Sequence, residues 1–314
     1  MTLLANSILQ TLAFFDAKDL ALSLLELRSY LPAQTGPTEI SLTVLMRTLE
    51  VELSGLVGLQ GGFYFLTGRN ILPASRRQRY KISLRRFRKA KKYLRFLRFL
   101  PYLRAVALSG SQAMLNSTAS SDIDLFLITK KNRIWLTRLL VSLYFQLLGQ
   151  RRYRDYIKNR FCLNHYLGEG VSIRQDQNLY TAVEYASLLP VLGEEVLSKF
   201  WEQNRWLAEF LAEPQPQRHS PFFDFHFSFW QKTFEWLLEL TFLGPALNWL
   251  SGMYQKQRIK LQDYIIVSED ELSFHPGSRG QRVLTQFAQN LRALGLEPVR
   301  NPPSASGGGR QSRP

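Results

Sequence analysis

Two apolar runs bracket a short polar loop between Arg104 and Thr129, and this arrangement constrains the chain more than any other part of it. Ala105 to Leu108 is short, apolar and closed by Ser109-Gly110-Ser111, as expected of a buried strand that ends in a turn. A second strand is predicted from Asp122 to Ile128. Residues two apart on a strand face the same side, so Asp122 and Asp124 present both carboxylates together, while Ile123, Leu125 and Leu127 face the other way. Such a pair suits a hard divalent cation: Mg²⁺ takes oxygen ligands, commonly one or two carboxylates, with phosphate oxygens and water completing its octahedron. Gly110 lets the backbone turn sharply and approach a ligand. Ser111 offers a hydroxyl and, at the start of a helix, a backbone N–H for a triphosphate oxygen.

The segment Gln112 to Ser121 separates that turn from Asp122. A Gly-Ser at a strand-to-helix turn, followed about a dozen residues later by Asp-x-Asp on the next strand, resembles the nucleotidyltransferase superfamily typified by DNA polymerase beta. Gly110, Ser111, Asp122 and Asp124 occupy the matching positions. The resemblance implies an α/β (α+β) nucleotidyltransferase domain with a mixed sheet over residues 101–190. It also implies transfer of a nucleoside monophosphate from an NTP to an acceptor hydroxyl, with Mg²⁺ as cofactor and pyrophosphate as leaving group. A third carboxylate from a later strand is implied as well, to help hold the metal and activate the attacking hydroxyl. That strand is predicted at Arg160 to Leu167, which contains no acid. Asn164 stands where one is expected, and an amide binds Mg²⁺ more weakly and cannot act as a base. Glu169, just past the strand, is the first substitute, followed by Asp176 and Glu184. The absent acid keeps a second function open: a catalytically inactive protein of the same fold that senses a nucleotide or RNA. His165, a lone histidine on a strand, reads as a packed or hydrogen-bonded residue.

The charge is local. The net charge is +15, yet twelve of the 40 Lys and Arg residues fall between Arg76 and Arg98 with no acid among them, and the remainder of the chain is nearly balanced. Tyr80, Leu84, Phe87, Leu94 and Leu97 give this stretch a helical apolar stripe, so residues 76–100 read as a basic connecting helix. Its cations suit the phosphate backbone of RNA, tRNA or DNA, or the anionic surface of a membrane in peripheral contact.

Residues 1–75 show three short helical repeats and then LVGLQGGFYFLTG, a hairpin turned at Gly61-Gly62, with Thr38 or Ser41 as the cap of the third helix. Three helices and a hairpin resemble a winged helix-turn-helix module. Its four cations against six acids oppose DNA reading and favour a protein contact or a substrate-orienting role. Ile134 to Leu148 reads as a buried helix against the sheet. Lys130, Lys131 and Arg133 read as a solvated loop. Phe222 to Met253 is aromatic-rich, but Glu235, Glu239 and Gly244-Pro245 interrupt it. A packed helical C-terminal domain over 191–300, covering the cleft, is therefore predicted, with docking on a membrane interface as the alternative. Phe274-His275-Pro276-Gly277 reads as a turn before a helix whose Arg279 and Arg282 are solvated, and residues 301–314 as a disordered low-complexity tail. Cys162 is the only cysteine, which excludes an internal disulfide and fits a reducing cytoplasm. The start of the chain lacks the basic region of a secretory signal.

Overall fold

The computed structural model describes residues 1–35, 40–153, 156–212, 220–259, 265–274 and 278–297. The chain begins with helices α1 (Leu3–Asp16), α2 (Leu24–Ser29) and α3 (Leu42–Val51), then strands β1 (Val57–Gln60) and β2 (Phe63–Leu66), an antiparallel pair. The predicted helices and hairpin are present. Side chains set the helix starts: Thr2 accepts from the Ala5 N–H, Ser23 forms a capping box with Glu26, and Ser41 accepts from the Val44 N–H. Thr38, the other cap read for α3, lies outside the described residues. These elements share a continuous core with the rest of the chain. Ile8, Leu12, Leu27 and Leu45 belong to one apolar cluster with Phe126, Trp201 and Phe287, and Phe14 meets Phe287 edge to face at 5.6 Å.

Helix α4 (Leu72–Leu94) and a 3₁₀ turn (Arg95–Phe99) lead into β3 (Leu103–Leu108), α5 (Gly110–Ala113), β4 (Ile123–Thr129), α6 (Ile134–Leu147) and β5 (Phe161–Gly168). Then follow α7 (Leu179–Ala186), β6 (Leu189–Leu192), α8 (Glu194–Gln203), α9 (Phe229–Leu240), α10 (Leu243–Arg258), β7 (Ile266–Val267), β8 (Glu271–Ser273) and α11 (Ser278–Ala293). Among the described residues six strands form one mixed sheet in the order β6-β3-β4-β5-β8-β7, in which β4 and β5 run parallel and the other neighbours antiparallel. The fold is thus α/β with a mixed sheet. The segment 191–300 was predicted to be helical, yet it also supplies β7 and β8. Their two and three residues are too few to carry a strand periodicity.

Both faces of the sheet are covered. Ala105, Ala107, Phe126 and Ile128 join the cluster that includes α1, while Val106, Leu108, Leu125 and Leu127 pack with Phe87 and Leu94 of α4 and Trp135 and Val141 of α6. The alternation predicted along β4 is therefore the observed one. Helix α6 is buried only in part, since Leu143 and Leu147 are exposed. Lys130 and Arg133 are not a solvated loop: both pair with Glu239 of α9, at 3.0 and 2.8 Å.

The cations of α4 divide into two groups. Arg76 and Arg86 are buried: Arg76 donates to the Met114 carbonyl at 2.6 Å and pairs with Glu26 at 2.5 Å, and Arg86 donates to the Ala119 carbonyl at 3.3 Å. Lys89 donates to the Asn159 carbonyl. Unpaired charge in an interior is costly, and here main-chain oxygens and one carboxylate compensate it. Arg77, Lys81, Arg85, Arg88, Lys92 and Arg95, at spacings of three and four, form the exposed strip. Part of the basic run is therefore a clamp on the loop between β3 and β4. Among the described residues, no helix is long and apolar enough to cross a membrane.

Candidate active site

The turn after β3 is fixed by its ladder and by its neighbours. The Ser109 N–H donates to the Asp124 carbonyl at 3.1 Å, and Gly110 then turns with φ +60°, a conformation that L side chains rarely adopt. A Cβ at Gly110 would lie 3.1 Å from Asp124 Oδ2 and 3.8 Å from Glu184 Oε2, so glycine also admits the carboxylates to the turn. The following loop is fastened to α4: Gln112 Nε2 donates to the Ser83 carbonyl at 3.0 Å, Ser117 Oγ donates to Gln112 Oε1 at 2.8 Å, and the Ser117 N–H donates to Ser83 Oγ at 3.2 Å. Buried, mutually satisfied polar groups of this kind hold one conformation, and they deliver the chain to Asp122.

Asp122 and Asp124 face the same side of β4, as predicted. Asp122 Oδ2 accepts from Arg152 Nη1 at 2.6 Å, and Asp124 Oδ1 accepts from Asn164 Nδ2 at 3.5 Å. The parallel register sets Cys162 opposite Asp124, and Asp122, Asp124 and Cys162 offer ligand atoms within 4.8 Å of one another. Burial and the two aspartates push the Cys162 thiol well up in the metal-free chain, which makes the two carboxylates the readier donors. Burial, reinforced by the charges of Asp122 and Glu184, pushes the Asp124 carboxyl up to about 7, against the opposing pull of Arg279 and Arg152. Three cations face three acids, so burial rather than missing countercharge is the larger cause of the rise. A hard divalent ion such as Mg²⁺ fits the carboxylate donors and would favour the ionised form of Asp124.

Glu184 of α7 is the third carboxylate that the structure brings to this point. Its helix starts at a capping box between Asn178 and Thr181, and its Oε1 accepts from Lys18 Nζ at 2.6 Å. Glu169, placed first by the sequence reading, is corrected. Its N–H donates to the Thr129 carbonyl at 2.7 Å, at the C-terminal end of β4, and its exposed side chain lies 3.7 Å from Arg104. Because β4 and β5 run parallel, a residue just past β5 lies beside the far end of β4, about 16 Å along the strand from Asp124. Asp176 borders the same cavity as Asp124. His165 Nε2 lies 3.1 Å from Glu271 Oε1 and its ring meets Phe126 edge to face at 5.0 Å, the packed role expected of it.

A cavity of about 340 Å³ opens over these groups, within the range of small-molecule sites. Ser109, Gly110, Asp122, Asp124, Glu184 and Arg279 are among its walls. Ser111 is not: it sits half-buried one residue beyond, and its carbonyl accepts the Asn116 N–H at 2.8 Å. Arg279 is exposed, as its place in the first turn of α11 led us to expect, yet it faces the cavity and its charge reaches Asp124, Asp122 and Glu184. Gly280 permits this approach, since a Cβ there would lie 3.0 Å from the Tyr180 ring. His275, Pro276 and Gly277 lie outside the described residues, as does the tail 301–314. Arg152 carries no signal in the sequence, where it is one arginine of the run Arg151-Arg152-Tyr153. No protein-family model, no curated protein and no solved structure matches the chain. The arrangement of acids, turn and arginine itself can hold a divalent cation and a polyphosphate.

Proposed function

We propose that the chain is a Mg²⁺-dependent nucleotidyltransferase that moves a nucleoside monophosphate from an NTP to an acceptor hydroxyl. One observation carries this reading: Asp122, Asp124 and Glu184 border the same cavity as the Gly110 turn. On this reading β3, the turn, β4 and β5 correspond to the nucleotidyltransferase fold. Asp122 and Asp124 would hold the metal, which when bound supplies charge neutralisation on the phosphates. Gly110, lacking a side chain, leaves its backbone open to a phosphate oxygen, with Ser111 beside it, and Arg279 adds a planar donor for the triphosphate. Glu184 takes the proton of the acceptor hydroxyl as its oxygen attacks the α-phosphorus. The bond to the bridging oxygen breaks, and pyrophosphate leaves with the electron pair. Lys18 holds Glu184 in place through their ion pair.

The N-terminal elements fit a winged-helix-like module that contacts protein. The exposed face of α3 carries Val44, Met46 and Val51, and Arg47 is the only cation on that helix, a poor match for a phosphate backbone. The free, buried Cys162 suits a reducing cytoplasm. Asn164, facing Asp124 where an acid is expected, favours a second reading, a non-catalytic nucleotide or RNA sensor.

Incubation with each labelled NTP and Mg²⁺, with pyrophosphate release as the readout, tests the proposal. Release that Asp124→Asn abolishes supports the enzyme. Nucleotide binding without release, unchanged by a range of acceptor hydroxyls, replaces it with the sensor.

A further inference from the structure

Helices α9 and α10 form a hairpin packed inside out. On α9 the residues turned toward the protein are Gln231, Glu235 and Glu239, at spacings of four, and their bonds explain the orientation. Gln231 donates to the Leu100 and Leu103 carbonyls at 2.9 and 2.7 Å, Glu235 accepts from the Tyr102 N–H at 2.6 Å and from Arg104 at 2.7 Å, and Glu239 pairs with Lys130 and Arg133. On α10 the inward residues are Gly244, Asn248, Ser251, Gly252 and Gln255. Asn248 accepts from the Leu136 N–H at 3.0 Å, and Gln255 donates to the Trp135 carbonyl at 2.8 Å. A surface helix ordinarily buries its apolar stripe and exposes its polar one. Here thirteen large apolar side chains between Phe229 and Tyr254 face solvent, including Trp230, Trp236 and Trp249, half of the chain's tryptophans. The tip is Phe242, a non-glycine residue at φ 55° that is 78% exposed. An apolar surface of this extent on a folded chain marks an interaction site.

We infer that this hairpin docks in the plane of an anionic lipid bilayer. Its 12 and 16 residues correspond to about 18 and 24 Å of helix, less than the ~30 Å hydrocarbon core, which suits helices lying in the interface rather than crossing it. Charge selects the occupant. Glu235 and Glu239 are the only acids between Phe229 and Arg258 and both turn inward, so the outward face of the two helices has Lys232, Lys256 and Arg258 and no acid of its own, with Lys256 paired to Glu269 ahead of β8. The Ser228 N–H donates to the Arg98 carbonyl at 3.1 Å, which joins the start of α9 to the end of the basic run, where Lys92, Arg95, Phe96 and Phe99 are exposed. Tryptophan and phenylalanine beside lysine and arginine match the acyl boundary and the anionic headgroups in turn. A second copy of the chain fits less well, because a twofold contact would set the same cationic face against itself.

Flotation of the full chain with phosphatidylcholine vesicles, with and without phosphatidylserine, tests the inference without any nucleotide, so its outcome is independent of the proposed catalysis. The chain should float with the phosphatidylserine vesicles, and brominated lipid should quench its tryptophan emission. Trp236→Ser and Trp249→Ser, both at exposed sites, should each lower partitioning about tenfold while leaving the circular dichroism unchanged. Lys92→Gln and Arg95→Gln should each reduce the preference for phosphatidylserine about fivefold. Three results overturn the inference: no flotation with phosphatidylserine, flotation indifferent to both tryptophan substitutions, or a stable dimer in sedimentation that either tryptophan substitution breaks.

Discussion

Asp124→Asn should stabilise the metal-free protein above neutral pH while abolishing its response to Mg²⁺. In the folded chain the Asp124 carboxyl is raised from 3.8 to about 7, chiefly by burial and then by the charge of Asp122. A group raised in this way favours the folded state fully below its unfolded value, near pH 4. That contribution is lost as the pH climbs toward 7, because the unfolded chain has already released the proton that the folded chain must still give up. At about 1.4 kcal/mol for each tenfold change in proton affinity, the loss approaches about 4 kcal/mol. Asparagine keeps the shape and removes the ionisation. For a chain of this length, a difference of about 4 kcal/mol moves the unfolding midpoint by about 6 °C.

The assay is thermal unfolding of both proteins in chelator at a series of pH values, repeated with saturating Mg²⁺. The gap between variant and parent should open between pH 4 and pH 7 and stay constant above. Mg²⁺ at about a hundred times its dissociation constant should return about 2.7 kcal/mol to the parent at pH 8 and far less to the variant. A variant less stable than the parent at pH 8 in chelator, or equal stabilisation of both by Mg²⁺, would refute the view that Asp124 is a destabilised buried ligand.

Glu184→Gln should lower pyrophosphate release at least a hundredfold with little change in NTP affinity, whereas Glu169→Gln, at the other end of the strand pair, should leave the rate within about twofold, as steady-state kinetics of the two variants will show. Arg279→Gln should raise the KM for NTP about tenfold or more through loss of a charge-assisted phosphate contact, and should lower the stability of the metal-free protein slightly above neutral pH, because its charge opposes the rise of Asp124. Arg76→Met removes a guanidinium held by the Met114 carbonyl and Glu26, and urea unfolding should report a loss of about 2 kcal/mol, against less than about 0.5 kcal/mol for Lys81→Gln on the exposed strip.

What the sequence displayed was local. The alternation in Ile123, Leu125 and Leu127 gives the faces of β4, and the Gly-Ser turn marks where β3 must stop, so Asp122 and Asp124 were legible as a pair. Glu184 and Arg279 reach the same cavity from α7 and α11, and no local pattern announces which distant helices will face a strand end. Glu169 was misplaced for a related reason. Proximity to β5 in sequence says nothing of which end of β4 it meets, and the parallel pairing puts it at the wrong one. The hairpin teaches the sharper lesson. A helical period says which residues share a face, but it has no sign. Glu235 and Glu239 looked like interruptions in an apolar segment because apolar stripes usually turn inward. Here Arg104, Lys130 and Arg133 wait on the protein side as partners for those acids, and the peptide N–H of Tyr102 with the carbonyls of Leu100 and Leu103 gives α9 a polar seat. Once the polar stripe has partners inside, the aromatic stripe has only the outside left. On the inference drawn above, the cations around it select an apolar medium with an anionic rim as that outside.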